Sequence, residues 1–300
     1  MPRSPGHDLD SPSRDQSDRL LEQLCRNSVP YSDPLARVNW SALSHSSFWL
    51  PEEAISVYGL AHYHALSLQQ RQALSHYEFM NFIEAGLWLE GLFMERIGRA
   101  LRNSHQRPIE LAYHLHELRE EAGHSLMFLE LLKRNGPLQP NTHFHRLNLA
   151  NLVARHAPFE SVLFWVAVLI GEEVPDRMNR FIRKHRNDIC PTIYDIVSTH
   201  IVDEARHIAH ARDNLDVRLG QLPRWKKRLL RPFIGQVFRE FVAMFYFPGP
   251  RVYELAGLHD GTYWATQART NPHRHRFADT CVDSALRGLR QHGLSLDWRP

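Results

Sequence analysis

From residue 68 to about 103 the chain runs without proline, and its apolar residues recur at helical spacing, which predicts one long helix. With Phe79 at zero and about 100° per residue, Ile97 falls at about 0° and Ile83 and Leu101 at about 40°. Glu90 falls at about 20°, inside that apolar face, whereas Glu84 and Glu95 fall at about 150°, on the opposite side. A carboxylate within an apolar stripe is costly unless something binds it. Glu90 is therefore the candidate ligand on this helix, and Glu84 and Glu95 read as solvated residues. A second helix is predicted from about 109, after Pro108, to about 134, where Asn135-Gly136-Pro137 stops it.

Residues 136 to 157 contain Pro137 and Pro140 around a short possible helix and read as a long connection. A third helix is predicted from about 158 to 187. Its first part, FESVLFWVAVLIGEEV, is apolar almost all round and so deeply buried. Pro175 lies inside it and is expected to kink it. Glu173 shares a side with Val166, Leu169 and Ile170, so Glu173 is the ligand choice here and Glu172 the fallback. A fourth helix is predicted between Pro191 and Gly220. After it come a basic stretch at 224–231, read as a solvated face, and an amphipathic helix at 232–247 read as packing over the bundle. Residues 1–16 read as a flexible polar tail, followed by a short helix at 18–27. Residues 28–50 read as irregular chain anchored by Trp40, Phe48 and Trp49. The predicted organisation is this tail, a helical domain at 17–257, and a C-terminal extension of unassigned role at 258–300.

The fourth helix carries the most telling stretch, His200-Ile-Val-Asp-Glu204-Ala-Arg-His207. Residues three and four apart share a helix face, so His200, Glu204 and His207 form one row. A metal ion satisfies all three groups, since imidazole and carboxylate are good ligands for iron, zinc or manganese. The smallest unit, Glu204-x-x-His207, occurs again as Glu121-x-x-His124 on the second helix. Two Glu-x-x-His helices and one Glu from each of two others form the ligand set of di-iron four-helix bundles. Glu90 precedes Glu121 by 31 residues, and Glu173 precedes Glu204 by 31, as expected of two helix pairs built alike. Four carboxylates would offset two divalent ions, leaving a near-neutral buried centre. Asp203 and Glu120 each directly precede a ligand Glu, where they could accept the outer ring N–H of a ligand His from a facing helix. Oxygen and nitrogen ligation without thiolate suits iron or manganese better than copper or structural zinc.

Composition changes this picture little. The chain has 300 residues, 43% of them hydrophobic, and a formal charge of +3 spread along its length, which argues against a dedicated nucleic-acid binder. Cys25, Cys190 and Cys281 are far apart and suggest neither a disulfide framework nor a Cys-type zinc site. No secretory leader and no membrane span is expected, and a reducing cytoplasm is the expected compartment.

The run Asp203-Glu204-Ala205-Arg206-His207 resembles the signature of the ferritin-like di-iron proteins, which include ribonucleotide reductase small subunits and methane monooxygenase. His200, four residues before Glu204, narrows the resemblance to the p-aminobenzoate N-oxygenase family, which adds a third His ligand. The resemblance spans about residues 50–255. It implies an all-α fold, a ferritin-like four-helix bundle core with additional N- and C-terminal helices. It also implies a di-iron centre, or a mixed manganese–iron one, held by Glu90, Glu121, His124, Glu173, His200, Glu204 and His207. Dioxygen would be the co-substrate and the amine of a small metabolite the substrate, oxidised to hydroxylamine and onward to nitroso or nitro. An external electron donor and a homodimer are the expected partners, with no nucleic acid or membrane. The same centre could instead hydroxylate carbon or oxidise iron, and a helical interaction protein without metal is the remaining class. Trp88, Phe164, Trp165 and Tyr194 are candidate pocket walls.

Overall fold

The computed structural model describes residues 11–102, 107–135 and 148–299. Among these residues every regular element is helical: α1 (Ser11–Ser28), α2 (Ala61–His64), α3 (Leu68–Leu101), α4 (Pro108–Arg134), α5 (Leu149–His156), α6 (Val162–Lys184), α7 (Pro191–Gln221), α8 (Arg224–Tyr246), α9 (Pro250–Leu255), α10 (Gly261–Thr270) and α11 (Pro272–Gln291). The fold is all-α, with α3, α4, α6 and α7 as its central bundle. α3 packs on α4, α6 on α7, and α4 on α7.

Local chemistry sets the starts of these helices. Ser67 and Gln70 form a reciprocal capping box at α3, the Gln70 N–H donating to Ser67 Oγ and the Ser67 N–H to Gln70 Oε1. Pro108 and Pro191 occupy first-turn positions of α4 and α7, where a missing N–H costs nothing. Ser161 caps α6 by accepting from the Phe164 N–H. α6 continues through Pro175 and is buried on nearly every side from Val162 to Asp176. At Gly171 a Cβ would stand 3.0 Å from Phe93 Cζ and 3.2 Å from Leu89, so glycine there allows α3 and α6 to approach closely.

Three boundaries differ from the sequence reading. Residues 11–16, read as tail, belong to α1, a start compatible with Pro12 because proline is tolerated in a first turn. Residues 1–10 and 136–147 lie outside the described residues, and α5 lies in the remainder of the connection read at 136–157. The basic stretch at 224–231 is not separate from the helix after it. α8 runs from Arg224 through Pro232 to Tyr246 as one element.

The C-terminal helices join the same core. Phe277, Cys281, Val282 and Leu289 of α11 are buried with the bundle residues, and α11 packs on α6. Arg274 is almost fully buried and donates to the carbonyls of Tyr246 and Ala54, each at 2.6 Å. It thereby ties α11 to the end of α8 and to the chain before α2. Nearby, buried Glu78 of α3 accepts from the Ser56 backbone N–H and hydroxyl. Replacing Arg274 with Met keeps the apolar stem and orphans two buried carbonyls. Arg274→Met should destabilise the fold by about 3 kcal/mol, read as a lowered urea midpoint with an unchanged slope. An unchanged midpoint would show that this tie contributes nothing.

Candidate metal centre

Each bundle helix delivers side chains to one buried space. Glu90 comes from α3, Glu121 and His124 from α4, Glu172 from α6, and His200, Glu204 and His207 from α7. All seven are buried. They form two groups that share Glu204: Glu90, His124, His200 and Glu204, and Glu121, Glu172, Glu204 and His207. Within each group the nearest ligand-type atoms lie within 4.8 Å of one another. His200 Nε2 stands 3.2 Å from both Glu90 Oε1 and Glu204 Oε1. Glu121 spans the two groups, with Oε2 3.1 Å from His124 Nδ1 and Oε1 3.0 Å from His207 Nδ1.

The α6 carboxylate differs from the sequence choice. Glu173 joins neither group. Its Oε1 lies 2.6 Å from the Arg212 guanidinium and 3.4 Å from that of Arg177, and both arginines also donate to Ser284. Glu172 takes the inward place. The physical reason is that α6 is apolar on both sides, so an apolar stripe cannot tell which face looks at the centre. The discriminating signal is polar. Glu172, Asp176 and Asn179 recur at helical spacing, all are buried, and Asn179 reaches His200 Nδ1 at 3.1 Å. The interval from the α6 carboxylate to Glu204 is then 32 residues, not 31.

Outer contacts fix the imidazoles. His124 donates from Nε2 to Asp203 at 3.2 Å, and His207 from Nε2 to Glu120 at 3.0 Å. These bonds turn Nδ1 of both rings toward the centre, whereas His200 presents Nε2 and turns Nδ1 to Asn179. Arg206 lies between the two acids, 2.7 Å from Asp203 Oδ1 and 2.8 Å from Glu120 Oε1. Burial opposes ionisation of Asp203, but the hydrogen bonds from His124 and Arg206 hold its carboxyl at about 2. Such partners set ring orientation and ligand basicity.

The residues fit a pair of cations. Burial first, then the neighbouring carboxylates, pushes Glu90 and Glu172 well above the usual carboxylate range. Burial drives His200 down to about 4, so its imidazole is neutral, the form that ligates. Among the described residues, both Glu204 oxygens, Glu121 Oε1 and His207 Nδ1 are buried without a hydrogen bond of acceptable geometry. Buried polar atoms rarely go unsatisfied, and cations between these carboxylates would satisfy them.

A small cavity of about 20 Å³ adjoins the centre, room for roughly one water. Glu121 and Glu172 form one side, and Phe93, Ile97, Phe159, Phe164, Trp165 and Val168 supply apolar walls. Phe164 and Trp165 were candidate walls from sequence and line it, whereas Trp88 packs toward Phe241 and Tyr194 lies under Arg186.

The Glu172 assignment separates cleanly from Glu173. After anaerobic Fe(II) loading, Glu172→Ala should retain less iron than wild type, and Glu173→Ala should retain the wild-type amount. The opposite order would restore the assignment read from sequence.

Sequence comparison places the chain among known proteins. The uncharacterized protein Rv0885 of Mycobacterium tuberculosis and the uncharacterized protein Mb0909 of Mycobacterium bovis are each 26% identical over 199 residues, 66% of this chain and 52% of theirs. The chain thus spans about half the length of these curated relatives. The family model for p-aminobenzoate N-oxygenase AurF matches residues 10–293, well beyond the 50–255 over which the motifs carry the resemblance. A match over nearly the whole chain places this protein in the AurF family of p-aminobenzoate N-oxygenases, and the chain carries buried Glu and His groups able to hold metal.

Proposed function

We propose that this protein is a di-iron N-oxygenase that uses dioxygen to oxidise the amine of a small molecule. The observation that carries the reading is the third imidazole: His200 stands with Glu90, His124 and Glu204 in a group of four buried ligand-type side chains. The wider set also includes Glu121, Glu172 and His207. Bound between these residues, a pair of iron ions would supply the activation of dioxygen.

The chain's own side chains do the rest. Glu120 and Asp203 hold the outer N–H of His207 and His124, which fixes the tautomers and the ring planes. Arg206 keeps both acids in place and offsets their charge. His200 adds a neutral donor, so the carboxylates balance the cations without an extra negative charge. The apolar walls Phe93, Phe159 and Trp165 keep bulk water from the face formed by Glu121 and Glu172. Oxidation of an amine to a hydroxylamine by dioxygen, with release of water, consumes two electrons and two protons, which an external donor would provide. In this reading iron is the metal and the cytoplasm the setting. No helix among the described residues is long and apolar enough to cross a membrane.

Iron-loaded protein, a reductant, isotopically labelled dioxygen and a panel of small aryl and alkyl amines test the reading. The expected product carries the label on nitrogen, and His200→Ala should lower its yield by at least tenfold. Label on carbon, or iron turnover without any organic product, would overturn N-oxygenation.

A further inference from the structure

A second buried constellation lies one helical turn beyond the centre, on the same two helices. α4 carries His114 and Glu117 at a spacing of three, and α7 carries His210 three residues after His207. Their ligand-type atoms lie within 4.8 Å of one another, and all three residues are buried. Glu117 precedes Glu121 by four residues, which puts it about 6 Å along the helix axis from the centre.

His210 Nδ1 is 3.7 Å from Glu117 Oε1, too far for a hydrogen bond. That nitrogen is buried without a hydrogen bond of acceptable geometry among the described residues, and so is the adjacent Tyr113 hydroxyl, on a ring 4.5 Å from the His210 ring. The His114 and His210 imidazoles meet edge-on, with ring centroids 5.4 Å apart and an interplanar angle of 63°. Trp165 and Phe159 close the surroundings. The cavity beside Glu121 and Glu172 is lined by His114 and Glu117 as well, so this cluster opens onto the same small space as the centre. Arg96 also lines it, but its guanidinium is engaged by the carbonyls of Arg155 and Ala157.

We propose that His114, Glu117 and His210 form a third, separate metal site that takes one divalent transition-metal ion. Two imidazoles and one carboxylate suit zinc, cobalt or ferrous iron, with an open position left for water. The cavity has room for that water. Burial, then the nearby His210, drives His114 down to about 4, so it is neutral and ready to ligate at ordinary pH. One carboxylate leaves the occupied site with a single net positive charge, facing the carboxylates of Glu121 and Glu172 across the cavity. The site does not depend on the oxygenase reading.

Cobalt(II) is the probe. The full-length protein is loaded anaerobically, passed through a desalting column and analysed for metal, and the cobalt is located in crystals by anomalous scattering. Wild type should carry one ion at His114, Glu117 and His210 beyond those at the centre. His210→Ala and the conservative Glu117→Gln should each lose that ion alone, with thermal melts confirming that both variants are folded. Glu204→Ala should lose cobalt from the centre and keep it at the new site. Cobalt absent from the new site in wild type, or equal cobalt in wild type and both folded variants, would overturn the proposal. Cobalt at the new site with none at the centre would support it and defeat the di-iron reading instead.

Discussion

A buried carboxylate is stable only where something positive or protic meets it, and the two groups at the middle of this molecule bring together four of its buried ones, Glu90, Glu121, Glu172 and Glu204. Three imidazoles stand among them, and bulk water is shut out by α3, α4, α6 and α7. Much of the architecture serves to keep this arrangement in one geometry. Gly171 lets α3 and α6 close on each other beside Glu90 and Glu172. Asp203, Glu120 and Arg206 form a layer behind the imidazoles, and Asn179 supports His200 from α6. α11, anchored by Arg274, covers the far side of α6 and lets Glu173 find Arg177 and Arg212 there.

The parts of this design that were legible in the sequence are those a single helix encodes. His200, Glu204 and His207 share a face by spacing alone, and so do Glu121 and His124. Glu90 stood out because its neighbours on that face, Phe79, Ile83 and Ile97, are apolar. α6 lacked that contrast. Between Val162 and Asp176 it is buried almost all round, so the apolar pattern carried no directional information, and the structure brings Glu172 rather than the sequence choice Glu173 into the group. The polar row of Glu172, Asp176 and Asn179 was the informative signal. Asp203 accepts from His124 and Glu120 from His207, each contact crossing between α4 and α7.

What the sequence did not reveal depends on two helices at once. His114, Glu117 and His210 are unremarkable on α4 and α7 taken separately, in a chain with 20 His. Only the pairing of α4 with α7 brings them together, in register one turn beyond the centre. The C-terminal residues are a similar case. Their charged surface gives no motif, yet Phe277, Cys281 and Leu289 are core residues once α11 lies on α6. The family match to residue 293 agrees with that packing, since α11 is built into the bundle.

The most direct measurement is Mössbauer spectroscopy of the full-length protein, loaded anaerobically with isotope-enriched Fe(II) and then exposed to dioxygen. A pair of iron ions sharing Glu121 and Glu204 as neighbours should oxidise together and give a spin-coupled diferric signal with a diamagnetic ground state. Magnetically isolated ferric ions, or a protein that retains no iron, would contradict a dinuclear centre at these residues.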